Sequence, residues 1–123
     1  VNELLAASYN ETHLKKRLNE QLFLVAEEDS EIVGFANFIY GEELYLSAHY
    51  VRPESQHRGY GTRLLEAGLK RFKDQYETVY LEVDNNNSNG IEYYQNHGFE
   101  IIRSYQLEMY GEIMDLALMK KSF

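Results

Sequence analysis

The chain has 123 residues, 44% of them apolar, which suffices for one folded domain with a modest core and excludes a disordered segment. Lys and Arg number 12 against 20 Asp and Glu, and the resulting charge of −8 argues against nucleic acid as a partner and is compatible with cationic ones, although solubility alone also accounts for it. There is no cysteine for disulfide or thiolate chemistry, no apolar run of membrane length and no signal-peptide pattern at Val1, so a cytoplasmic setting with no membrane partner is expected and the N-x-[ST] strings at Asn10 and Asn86 are read as chance matches.

Residues 11–20 read as a helix, with Thr12 as its cap and Leu14 and Leu18 on one face. QLFLVAEE (21–28) is a short apolar strand that ends in a turn at Glu28, Asp29 and Ser30. EIVGFANFIY (31–40) and ELYLSAHYV (43–51) are two further strands joined through Gly41 and Glu42, so these three are expected to form an antiparallel meander. Pro53, the single proline, stops the third strand. A helix follows over residues 60–73, where Leu64, Leu65, Gly68, Leu69 and Phe72 recur at helical spacing. TVYLEV (78–83) is a strand with Val79, Leu81 and Val83 on one face, and a right-handed crossover places it parallel to strand 43–51. In the polar stretch DNNNSNG (84–90), Asn89-Gly90 alone suits a hairpin turn, but Ile91, Tyr94 and Gly98 favour a short helix ending at a glycine cap. FEIIRSYQLEMY (99–110) and EIMDLALMKK (112–121) form two last strands around Gly111. With no internal repeat or linker, residues 1–123 are expected to be one domain.

QHRGYG (56–61) lies between a strand end and an amphipathic helix. A helix N-terminus offers unpaired N–H groups and the positive end of a dipole, and glycines such as Gly59 and Gly61 let backbone approach an anion closely. Arg58 and Arg63 add positive charge, so the stretch reads as a diphosphate cradle; the alternative is a glycine-eased turn that binds nothing. A P-loop is excluded because G-x-x-x-x-G-K-[ST] is absent, and a dinucleotide fingerprint because Arg63-Leu64 stands where a third glycine is needed.

The same hexapeptide resembles the [QR]-x-x-G-x-[GA] pyrophosphate signature of the GNAT superfamily of acetyl-CoA-dependent N-acetyltransferases, and it follows a V-x-P strand end in YVRP (50–53). NSNGIEYYQNHGFE (87–100) resembles that family's second motif, N-x-x-A-x-x-x-Y-x-x-x-G-F: Asn87, Tyr94, Gly98 and Phe99 match, and Gly90 replaces the alanine. The resemblance runs from about Leu22 to the C-terminus, and the family's first strand is expected to be missing. It implies an α+β fold: a mixed, mostly antiparallel sheet with a parallel central pair splayed at the cofactor site, flanked by helices. It also implies acetyl-CoA as co-substrate and direct attack by a primary amine, either a small cationic amine such as a polyamine or a protein amine. Homodimerisation is left open.

Residue by residue, the resemblance implies that backbone N–H groups from His57 through Gly59 and Tyr60 to Gly61, with Thr62, bind the pyrophosphate, flanked by Gln56 and Arg58. The backbone at Tyr50 and Val51 would pair with the pantetheine arm like an added strand, and Asn87 would hydrogen-bond that arm. Tyr94 would protonate the leaving thiolate, as a phenol of reference pKa ~10 can at neutral pH, while an N–H near Val51 would stabilise the oxyanion. Tyr94 read without the resemblance is a core aromatic, and Tyr93, about 100° around the helix, is its expected control.

The general base is less defined. Many relatives carry a Glu where this chain has Ser47, which leaves His49, Glu82 and Glu43 as candidates. His49 has a suitable intrinsic pKa, near 6.5, but also suits a sheet face, and Glu82, between Leu81 and Val83, is expected to face solvent. A water chain or no dedicated base remains open. Ser47 also keeps alive a catalytically idle acyl-CoA-binding sensor or regulatory module. His13, His57 and His97 show no metal-ligand spacing, so no metal is expected.

Overall fold

The computed structural model describes residues 19–123. The expected helix over 11–20 lies outside the described residues except at its end, where Glu20 pairs with Tyr40 and opens a strand instead. Three strands come first: β1 (Glu20–Glu28), β2 (Glu31–Tyr40) and β3 (Leu44–Val51). The first turn places Asp29 and Ser30 at φ 53° and 67°, a left-handed geometry that short polar residues tolerate. A single 3-10 turn, Pro53–Ser55, leads to α1 (Tyr60–Phe72). Then come β4 (Thr78–Asp84), α2 (Ser88–Asn96), β5 (Glu100–Met109) and β6 (Glu112–Ser122). Asn89-Gly90 is therefore inside a helix, not a hairpin: the Asn87 side chain accepts from the Gly90 N–H and starts α2 before a hairpin can close.

The strands form one mixed sheet in the order β1-β2-β3-β4-β6-β5, antiparallel throughout except for β3 and β4, which run parallel. That pair holds together at one recorded position, Tyr45 opposite Tyr80. β4 meanwhile pairs with β6 along its whole length, from Thr78 to Asp84. The sheet is thus continuous on either side of a notch that begins beyond Tyr45 and runs toward Tyr50 and Val51.

The core follows from the amphipathic pattern of α1. Leu64, Leu65, Gly68 and Phe72 are buried against Phe38, Leu44 and Leu46, and the same cluster continues through Val79, Leu81 and Val83 to Tyr94 of α2 and Phe99. Gly68 sets how closely α1 approaches β2, because a Cβ there would lie only 2.1 and 2.2 Å from Cε1 and Cζ of Phe38, which is fully buried. Gly68→Ala is therefore expected to destabilise the fold by ~1–3 kcal/mol through overpacking, read as a lower urea midpoint at unchanged slope. Among the described residues no helix is long and apolar enough to cross a membrane.

Candidate active site

The loop between β3 and α1 is shaped by two left-handed residues, His57 at φ 66° and Gly59 at φ 85°. Gly59 is the N-cap of α1 and supplies no side-chain hydrogen bond, so the leading N–H groups of that helix are not capped from within. At α2 the opposite holds, since Asn87 Oδ1 accepts from Gly90 N at 2.9 Å. One helix start is closed by a side chain and the other has no side-chain cap, and an uncapped helix start of this kind can accept an anion. The uncapped end opens on a cavity of about 490 Å³ lined by Gln56, His57, Gly59, Gly61 and Thr62.

The far wall of this cavity is one face of α2: Asn89, Glu92, Tyr93 and Asn96. These follow i, i+3, i+4, i+7 spacing, a polar stripe legible in the sequence but not singled out there. Tyr93 reaches across to the loop, its hydroxyl 2.9 Å from Thr62 Oγ1. It belongs to the cavity wall and is not the neutral control its position suggested.

Tyr94 is fully buried, and its ring packs edge-on against Tyr93 and Phe99. Its hydroxyl lies 3.0 Å from His49 Nδ1, while His49 Nε2 lies 2.8 Å from the Gly61 carbonyl. A carbonyl only accepts, so Nε2 carries the proton, and Nδ1 accepts from the Tyr94 hydroxyl. The imidazole thereby joins the first turn of α1 to Tyr94. Burial pushes the Tyr94 phenol well above its usual value, so it is protonated at neutral pH.

His49 faces this way because of a register shift. Phe38 pairs with Leu46 but Asn37 with Ala48, so Ser47 is an extra residue, a β-bulge. Simple alternation would put residue 49 on the face opposite Leu46; the bulge turns His49, opposite Ala36, onto the same face. Ser47 holds the bulge by donating to the Asn37 carbonyl at 3.2 Å and accepting from Asn37 Nδ2 at 3.1 Å.

Burial pushes His49 down to about 4, against 6.5 for a free imidazole. Between those values the unfolded chain binds the extra proton, so stability rises with pH across this window. The contribution is complete above 6.5 and is lost as pH falls to about 4, a change of roughly 3 kcal/mol. Urea unfolding from pH 7 to 4, with NMR of the His49 ring in the folded protein, measures it. An imidazole titrating near its ordinary value while folded contradicts it.

The other expected site residues are spread around this centre. Val51 is buried and its carbonyl accepts from Gln56 Nε2 at 2.9 Å, while the half-buried Tyr50 packs on Phe35. Arg58 does not line the cavity; its Nη1 pairs with Glu28 Oε2 at 2.7 Å, and the Tyr60 hydroxyl donates to the same oxygen. Asn87 uses its side-chain oxygen to cap α2. Glu82 is not solvent-facing as its alternation suggested but only 2% exposed. Its neighbours Leu81 and Val83 belong to the helix-side core, so it lies on the other sheet face, where burial and the charges of Glu43 and Glu82 raise the Tyr45 phenol. Among the described residues no group of three or more His, Cys, Asp or Glu side chains is arranged to hold a metal ion.

The acetyltransferase (GNAT) family model matches residues 2–99. An N-alpha-acetyltransferase of Sulfurisphaera tokodaii is 36% identical over 106 residues, covering 74% of this chain and 62% of the relative. The peptidyl-lysine N-acetyltransferase YiaC of Escherichia coli is 33% identical over 78 residues, covering 63% of this chain and 49% of the relative. The chain thus spans less than two thirds of the length of these two curated relatives. A GNAT family acetyltransferase of Elizabethkingia anophelis with acetyl-CoA bound shares the fold, with TM-score 0.71 at 18% identity over 93% of this chain and 84% of that one.

Proposed function

The chain belongs to the GNAT family of acetyltransferases, and from that premise we propose that it transfers acetyl from acetyl-CoA to a protein amine, with an N-terminal α-amine as the best-matched acceptor. The observation that carries the reading is the uncapped start of α1 on the cavity, beside a buried tyrosine whose hydroxyl is held through His49. Acetyl-CoA, when bound, supplies the activated acyl group. The N–H groups at the start of α1 bind its diphosphate, while the backbone at Tyr50 and Val51 borders the notch for the pantetheine arm. Tyr94 would release its hydrogen bond to His49 Nδ1 and donate that one proton to the sulfur as negative charge develops there, and its raised pKa keeps the proton in place until then.

His49 serves as a positioning residue for Tyr94, because both ring nitrogens are engaged and the ring resists protonation. Glu82 takes the proton of the attacking amine, from the sheet face opposite Tyr94. Amine and leaving thiolate are then handled from opposite sides of the notch, and the net reaction moves one proton from nitrogen to sulfur. The choice of acceptor follows from the burial of the base, Glu82. An α-amine is neutral in roughly a tenth of molecules at pH 7, a lysine in fewer than about one in a thousand. A site whose base is so enclosed favours the former, and one curated relative is an N-alpha-acetyltransferase. The charge of −8 is also compatible with a polyamine.

Thiol release from acetyl-CoA tests the reading, with three acceptors compared: a peptide with a free N-terminus, the same peptide N-blocked but carrying lysine, and spermidine. Turnover is expected with the first. Turnover confined to lysine or spermidine removes the α-amine assignment. CoA binding with no turnover on any amine supports the idle sensor that Ser47 keeps open.

A further inference from the structure

We propose that Glu28, the last residue of β1, is a positioning residue that holds the phosphate loop in its binding shape. Its carboxylate receives three donors from that loop. Ser55 Oγ donates to Oε1 at 3.3 Å, and Arg58 Nη1 and the Tyr60 hydroxyl donate to Oε2 at 2.7 and 3.0 Å. The three are the last residue of the 3-10 turn, the residue before Gly59 and the first residue of α1, so one carboxylate grips the loop from end to end. They lie 27, 30 and 32 positions from Glu28, so the convergence is a product of the fold and not of local turn preference. The Tyr60 hydroxyl, then Arg58, hold the Glu28 carboxyl below its usual range, so it accepts these bonds as an anion at neutral pH.

The loop requires such a tether. His57 stands at φ 66°, where a side chain is disfavoured, and such a conformation persists only where the surroundings enforce it. At Gly59 a Cβ would meet nothing within 4 Å, so packing does not hold that turn. Gln56 ties the start of the loop to the Val51 carbonyl, and Glu28 ties the remainder. Turned onto Glu28, Arg58 stays off the cavity wall, and the anion is left to the backbone N–H groups at the start of α1.

The inference rests on the cradle being a CoA site, and its test separates the two. Calorimetry measures CoA binding to wild type, Glu28→Ala, Glu28→Gln, Tyr60→Phe and the Glu28→Ala/Tyr60→Phe double variant, alongside steady-state kinetics. Glu28→Ala is expected to weaken CoA binding about tenfold, the low end for charge-assisted bonds at a partly exposed site. KM for acetyl-CoA rises with it, while kcat and the amine KM stay unchanged. Glu28→Gln keeps one acceptor and recovers part of the loss. Tyr60→Phe costs ~2–4-fold in wild type and nothing further once Glu28 is gone, the signature of a shared interaction. CoA affinity that is unchanged in Glu28→Ala, or tighter because Arg58 is released to the phosphates, overturns the proposal; so do additive losses in the double variant. If Glu28→Ala does not fold, Glu28→Gln and Tyr60→Phe carry the test, and wild-type affinity in both overturns it. Wild-type protein that binds no CoA overturns the cradle itself, and this inference with it.

Discussion

Tyr94→Phe lowers kcat by ~10²–10⁴-fold with little change in CoA affinity, the range expected when a general acid is lost. The substitution removes one hydroxyl and leaves the ring packed against Tyr93 and Phe99. It also leaves His49 Nδ1 without the donor it has in the native fold, so a stability loss of ~1–3 kcal/mol accompanies the kinetic effect. Rates must therefore be compared well below the unfolding transition of the variant, and in single turnover, where product release does not mask chemistry. Tyr93→Phe provides a contrast of a different kind. Tyr93 lines the cavity and bonds Thr62, so its hydroxyl contributes to the cradle wall and its loss is expected in KM for acetyl-CoA rather than in kcat. Equal, small losses of kcat in both variants would rule out Tyr94 as the acid.

Gly61→Asp weakens CoA binding by at least ~10²-fold, because it sets a carboxylate where a diphosphate must sit against the helix start. Gly61 is buried in the first turn of α1 and its carbonyl is the acceptor for His49. An acidic residue in the first turn of a helix interacts favourably with the helix dipole, so charge alone does not unfold α1. Gly61→Ala separates bulk from charge: a smaller loss than for Asp assigns the remainder to repulsion of the phosphates. A folded Gly61→Asp protein, verified by circular dichroism, that binds CoA like wild type would refute the cradle.

Much of this arrangement is legible in the sequence, for local reasons. Helical spacing in α1, period-two alternation in the strands and glycines at the start of α1 depend on residues a few positions apart, so they can be read along the chain. The two motifs, QHRGYG and N-x-x-G-x-x-x-Y-x-x-x-G-F, share that property: each is a single helix start or helix end with its flanking loop. The parallel placement of β3 and β4 was also accessible, because a helix between two strands admits essentially one handedness of crossover.

Other features exist only in three dimensions. Alternation told that Glu82 and Leu81 point to opposite faces, but not that both faces are covered, and so Glu82 was wrongly expected in solvent. The bulge at Ser47 adds one residue to β3 and reverses the faces of all that follow, which is what brings His49 to Tyr94; nothing local in YLSAHY announces it. Glu28 reads as an ordinary acidic turn residue until folding brings β1 beside the loop that follows β3. The sequence by itself thus determined the elements and the two motifs, since these are set by neighbours along the chain. Only the tertiary structure decided which side chains meet at the notch, because strand register and long-range hydrogen bonds are set by partners ten or more residues away.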